Sequence, residues 1–105
     1  MKINLPDVDW RTKDWTIPGQ TKKVLEETGE VMEAICLEQP DNAIAETLDA
    51  MQTCDTLLSM LMCKYDIPSL EPYLVSHVAK LRFKEYLPKC PYCGGPMPCL
   101  TCSCD

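Results

Sequence analysis

The chain has 105 residues, of which 46% are hydrophobic and 7% aromatic, and its net charge is −6. That length fits one domain with an incompletely buried core, which an obligate dimer would complete, and the acidic balance argues against a nonspecific surface for nucleic acid or anionic membrane. The sequence shows neither a basic-then-apolar leader nor an apolar run of membrane-spanning length, so the expected location is cytoplasmic.

Met1–Pro18 holds Pro6, Pro18 and both tryptophans without a helical period, and reads as an extended arm over a helical body. Trp10 and Trp15 would cover an open edge of the core. Pro18 suits a first helical turn with Thr16 as its cap. Lys22 and Lys23 follow; they are either solvated lysines near a helix start or contacts for substrate phosphates.

The first helix carries Val24, Thr28, Val31, Met32, Ile35 and Cys36 on one broad apolar face at about 100° per residue. Glu27 falls at the border of that face, and Glu30 lies one step further round. Gln39-Pro40-Asp41-Asn42 is the break: Pro40 ends the first helix, and Asp41 or Asn42 caps the second. So short a connection predicts an antiparallel hairpin. The second helix, about Asn42 to Tyr65, has Ile44, Leu48, Met51, Cys54, Leu58, Met62 and Tyr65 on its apolar side. Glu46 and Asp49 share the opposite flank with Thr53. The apolar side is widened by Ala50, Leu57 and Leu61 beyond what one partner helix needs, which predicts a subunit interface. Cys36, Cys54 and Cys63 read as small hydrophobes on these helices.

Asp66-Ile67-Pro68 closes the second helix, and Ser69 or Glu71 opens a third, packed through Tyr73, Leu74, Val78, Leu81 and Phe83. Lys80, Arg82 and Lys84 make its end basic. The lone His77 carries no expected chemistry. Past Pro88 the composition changes, and five of the eight cysteines fall in the last stretch. In a reducing cytosol, cysteines point to metal binding or packing before disulfides. Cys90-x-x-Cys93-Gly94-Gly95 resembles a zinc knuckle, and Cys99-x-x-Cys102 would complete a four-thiolate Zn²⁺ site. The short spacing between the pairs and the surplus Cys104 leave a redox-sensitive tail as the alternative. The division read from sequence is thus residues 1–88 as a helical domain and 89–105 as a cysteine-rich tail.

The acids of the hairpin carry the chemistry. Glu27 and Glu30, then Glu46 and Asp49, stand three residues apart, so each pair projects within about 60° on its helix. Like charges at that spacing cost helix stability unless a cation offsets them. One such pair is what any solvated helix surface carries. Two pairs on consecutive helices of a hairpin make an all-oxygen site for a divalent metal.

This pattern, Glu26-Glu27-x-x-Glu30, fifteen intervening residues and Glu46-x-x-Asp49, resembles the MazG-like all-α nucleoside triphosphate pyrophosphohydrolases. The resemblance is strong over the middle third of the chain and weak over Val75–Pro88. It implies an all-α helical bundle, completed as a homodimer or homotetramer, that hydrolyses a nucleoside triphosphate to the monophosphate and pyrophosphate. Glu27, Glu30, Glu46 and Asp49 would hold Mg²⁺, with Mn²⁺ as a substitute, and Glu26 would position or deprotonate the attacking water. One cation among Lys80, Arg82 and Lys84, near the Tyr-Pro-like stop at Tyr86-Leu87-Pro88, would neutralise phosphate oxygens. The competing reading from a different class is a noncatalytic helical metal-binding or adaptor module that acts through its cysteine tail.

Overall fold

A computed structural model describes residues 3–87 of the chain. It contains three α-helices, α1 (Ile17–Cys36), α2 (Pro40–Lys64) and α3 (Glu71–Phe83), with no strand among the described residues, so the all-α expectation is met. Two compact units result, one ending at Pro68 and the other beginning at Ser69. The cysteine tail expected to bind zinc, with Cys90, Cys93, Cys99 and Cys102, lies outside the described residues.

Each start of a helix has a local cause. Thr16 keeps an extended backbone at the N-cap of α1, and its hydroxyl accepts the Gly19 amide at 3.2 Å. Pro18 sits in the first turn, where a missing N–H costs nothing. A Cβ at residue 19 would come within 3.0 Å of the Thr16 hydroxyl oxygen, so glycine lets the cap close. Pro40 does not stop α1 as expected from sequence. It opens α2 from the first helical position, with Gln39 as the N-cap in place of Asp41 or Asn42. Gln39 gives no side-chain cap to the helix; its amide oxygen accepts from Asn42 Nδ2 at 3.1 Å.

The helices end alike. Glu38, Asp66 and Glu85 follow the three C-caps with φ of 54°, 52° and 58°. The amides of Glu38 and Gln39 bond back to the carbonyls of Ile35 and Ala34, and the same double closure recurs after α2 and α3. This is the Schellman arrangement, here with acidic residues in the left-handed position that glycine usually takes.

Within the first unit α1 packs on α2 across the short connection Leu37–Gln39. The inward stripe of α1 is Ile17, Gln20, Val24, Glu27, Val31 and Ala34, and that of α2 is Ala43, Glu46, Ala50, Thr53, Leu57 and Met60. Both advance by alternating steps of three and four, the spacing of one seam. Small residues at Ala34, Ala43 and Ala50 allow close approach of the two backbones.

This seam corrects the apolar faces read from sequence. Met32 and Ile35 on α1 and Ile44, Leu48, Met51, Leu58 and Tyr65 on α2 remain exposed, whereas the flank bearing Glu46 and Thr53 packs inward. Glu27 stands within the seam rather than at the border of an apolar face. Cys36, Cys54 and Cys63 are also exposed rather than packed as hydrophobes. The seam follows the flanks on which Ala34, Ala43, Ala50 and Thr53 interleave with Val24, Val31, Leu57 and Met60.

In the second unit, Leu70 is the N-cap of α3, and the Glu71 amide donates to Ser69 Oγ at 3.1 Å. Pro72 lies in the first turn, as expected. No residue of α3 is buried: Val78, Leu81 and Arg82 are half-buried, while Tyr73, Leu74 and Phe83 are exposed, against expectation. The apolar residues are spread around this helix, so no single stripe forms. No helix among the described residues is long and apolar enough to cross a membrane.

Candidate metal centre

The seam brings three of the acids together. One carboxylate oxygen from each of Glu27, Glu46 and Asp49 lies within 4.8 Å of the other two. The helix periods explain this. Glu27 is part of the inward stripe of α1 and Glu46 part of that of α2, while Asp49, three residues after Glu46, reaches the same point from an exposed position.

The electrostatics of the centre are unbalanced. The Glu27 side chain is only 13% exposed, and its Oε2 is buried without a hydrogen-bond partner. Glu46 Oε2 is in the same condition. Lys23, one turn before Glu27, brings its Nζ to 3.7 Å from Glu27 Oε1, too far for a hydrogen bond. Burial pushes the Glu27 carboxyl above the usual carboxylate range; a hydrogen bond shared with Glu30 and the negative charges of Glu30 and Asp49 add to the rise, and Lys23 opposes it. A buried anion without donors is costly, so orphaned oxygens beside two further carboxylates call for a cation or a proton. The donor set is all oxygen, which suits Mg²⁺ or Mn²⁺ and not a soft thiophilic metal.

The other expected site residues fall in different places. Glu30 is exposed and interacts with the Glu27 carboxyl, outside the close triplet. Glu26 is exposed beside Glu27, and Lys22 is exposed on α1. Lys80 and Arg82 stand in the last turn of α3 and Lys84 caps it, so all three belong to the second unit rather than to the helical pair that holds the acids. Arg82 Nε is buried without a hydrogen-bond partner.

The N-terminal arm builds a cavity against the centre. Gln52 Nε2 donates to the Pro6 carbonyl at 2.9 Å, and Arg11 Nη2 donates to Cys63 Sγ at 3.4 Å, fixing the arm along α2. From the second anchor onward Arg11–Asp14 forms a turn. The Asp9 carboxylate accepts from the Thr12 amide and hydroxyl, which hold its pKa below the usual range, and Asp14 takes a positive φ of 54°. The Trp15 amide returns to the Trp10 carbonyl at 3.2 Å. The arm thereby sets Val8 and Trp15 into a cavity of about 310 Å³ that also meets Lys23, Glu27, Asp49 and Gln52.

Gln20 was not foreseen. It is buried, and its Nε2 donates to the Thr53 carbonyl at 3.0 Å, tying α1 to α2 beside this cavity. Its position seven residues before Glu27, on the same stripe, was the available signal. The signal for Val8 and Gln52 was absent, because contacts of an irregular arm have no sequence period. No family model, curated protein or solved structure matches this chain.

Proposed function

We propose that the protein is a MazG-like, Mg²⁺-dependent pyrophosphohydrolase that converts a nucleoside triphosphate to its monophosphate and pyrophosphate. The observation that carries this reading is the meeting of Glu27, Glu46 and Asp49 across the seam, with one oxygen each of Glu27 and Glu46 buried and unpartnered. Glu27, Glu46 and Asp49 would hold the ion, and Glu30 would act through its contact with Glu27. Bound there, Mg²⁺ or Mn²⁺ would neutralise phosphate charge and acidify the attacking water. A water would attack the α-phosphorus, the bond from phosphorus to the bridging oxygen would break, and pyrophosphate would leave. Glu26, exposed next to Glu27, is the group proposed to receive the proton.

The cavity walled by Trp15 and Lys23 offers room for substrate beside the acids. Lys22, Lys80, Arg82 and Lys84 are further candidates for phosphate contact. The exposed apolar residues Met32, Ile35, Ile44, Leu48 and Leu58 support assembly of the antiparallel hairpin as a homodimer or homotetramer. A nucleotide substrate goes with a cytoplasmic setting. Zn²⁺ is proposed for the four tail cysteines, apart from the carboxylates, because thiolates and carboxylates select different metals.

The test is pyrophosphate release from a panel of ordinary and damaged nucleoside triphosphates, with Mg²⁺ and with chelator. Release that requires Mg²⁺ and vanishes in Glu46→Gln supports the reading. Absence of release from every nucleotide at saturating Mg²⁺ sinks it and favours the noncatalytic module.

A further inference from the structure

Lys23 occupies a position that the metal reading alone does not explain. Its ammonium stands 3.7 Å from Glu27 Oε1, close enough to screen charge and too far to satisfy either oxygen. Its side chain is half exposed. Lys23 also lines two cavities: the one of about 310 Å³ that reaches Glu27 and Asp49, and another of about 390 Å³ beside Asp14, Trp15, Thr16 and Gly19. The same flexible cation therefore borders the acids on one side and open space under the arm on the other.

Building on the metal reading of this centre, we infer that Lys23 is an exchangeable counter-ion: it screens Glu27 in the metal-free protein and turns to the phosphate chain of the substrate when a divalent cation binds. Two cations cannot share Glu27 without repelling each other, and a lysine ammonium is a compact charge on a flexible stem. Lys23 leaves with little lost, because its contact with Glu27 is loose. Once released, its ammonium can reach phosphate oxygens as a point charge within the cavities it already lines. The exchange couples the two ligands: Lys23 lowers the affinity for the divalent ion alone and raises the affinity for polyphosphate once that ion is present.

The experiment is calorimetric titration of the full chain with Mn²⁺, and then with tripolyphosphate in saturating Mn²⁺. The proteins compared are the parent, Lys23→Met, Lys23→Arg and, as a control for net charge, Lys13→Met. Lys23→Met should bind Mn²⁺ about three- to tenfold more tightly and tripolyphosphate about tenfold or more weakly. Lys23→Arg should stay near the parent in both titrations, and Lys13→Met should shift Mn²⁺ affinity by less than about twofold. Far-ultraviolet dichroism confirms that each variant keeps its helices. If the parent binds Mn²⁺ and Lys23→Met binds it equally, the exchange is wrong while the metal centre stands. Tighter Mn²⁺ with unchanged tripolyphosphate overturns the substrate half. If the parent does not bind Mn²⁺ at all, the metal reading itself fails.

Discussion

Glu27 on α1 and Glu46 on α2 meet across the helical seam, and each keeps one carboxylate oxygen buried without a hydrogen-bond donor. Asp49 adds a third carboxylate from the exposed side of the same point. Such an arrangement is unfavourable for the empty fold, since desolvation and like charge act in the same direction. It is the kind of local conflict that a functional site carries and the surrounding packing offsets.

Removing one of these acids should separate activity from stability. Glu46→Gln or Asp49→Asn is expected to lower turnover at saturating Mg²⁺ by about a hundredfold or more while helix content is unchanged. Without metal the same variants should melt no lower than the parent, because each relieves repulsion. Steady-state rates and thermal denaturation check both halves, and near-parental turnover in both variants removes these residues from the site.

The raised pKa of Glu27 fixes a pH dependence. The folded protein binds this proton more tightly than the unfolded chain does. Its contribution to stability is therefore lost as pH rises from the ordinary carboxylate value through the folded one, and regained on acidification. In chelator, Glu27→Gln should exceed the parent in stability at neutral pH, and the difference should shrink as pH falls through the carboxylate range. Denaturant midpoints across that range measure it; a difference independent of pH would show that Glu27 is not the titrating group.

Glu38 offers a test away from the site. Its φ of 54° lies in the left-handed region, where a side chain costs about 1–2 kcal/mol and glycine does not. Glycine also gains entropy in the unfolded chain, so Glu38→Gly should stabilise the protein by a net of about 0.5–1 kcal/mol. Urea unfolding reads this directly. A loss of stability would mean that the Glu38 side chain makes contacts worth more than the strain.

Assembly can be probed through the exposed apolar side. Leu48→Glu combined with Met32→Glu would put charge into any interface formed there and is expected to weaken self-association by about a hundredfold or more. Light scattering at micromolar concentration distinguishes the outcomes. A parent protein that is already a stable monomer contradicts the proposed dimer.

The cysteine tail lies outside the described residues, and its prediction rests on sequence alone. Protein purified without added zinc should carry Zn²⁺ bound by Cys90, Cys93, Cys99 and Cys102, with sulfur distances of about 2.3 Å. Truncation after Pro88 should keep turnover within about twofold of the parent. Metal analysis without zinc ends the structural assignment, and loss of turnover with helix content retained would bring the tail into the active site.

The sequence by itself determined the helical class, Thr16 as the first cap, and the two acid pairs three residues apart. These are local properties: propensity, capping chemistry and the fixed rotation per residue act over one or two turns. It also offered four acids as equals. Only the tertiary structure drew Glu27, Glu46 and Asp49 close and left Glu30 beside Glu27. Tertiary structure alone also decided that the alanine- and threonine-bearing flanks form the seam while Ile44 and Met32 stay exposed. A hydrophobic period gives an apolar direction but names no partner, and the choice between flanks depends on how closely two backbones can approach. The arm's contacts were beyond reach for the same reason: the bonds from Gln52 to Pro6 and from Arg11 to Cys63 join residues far apart in the chain and follow no period.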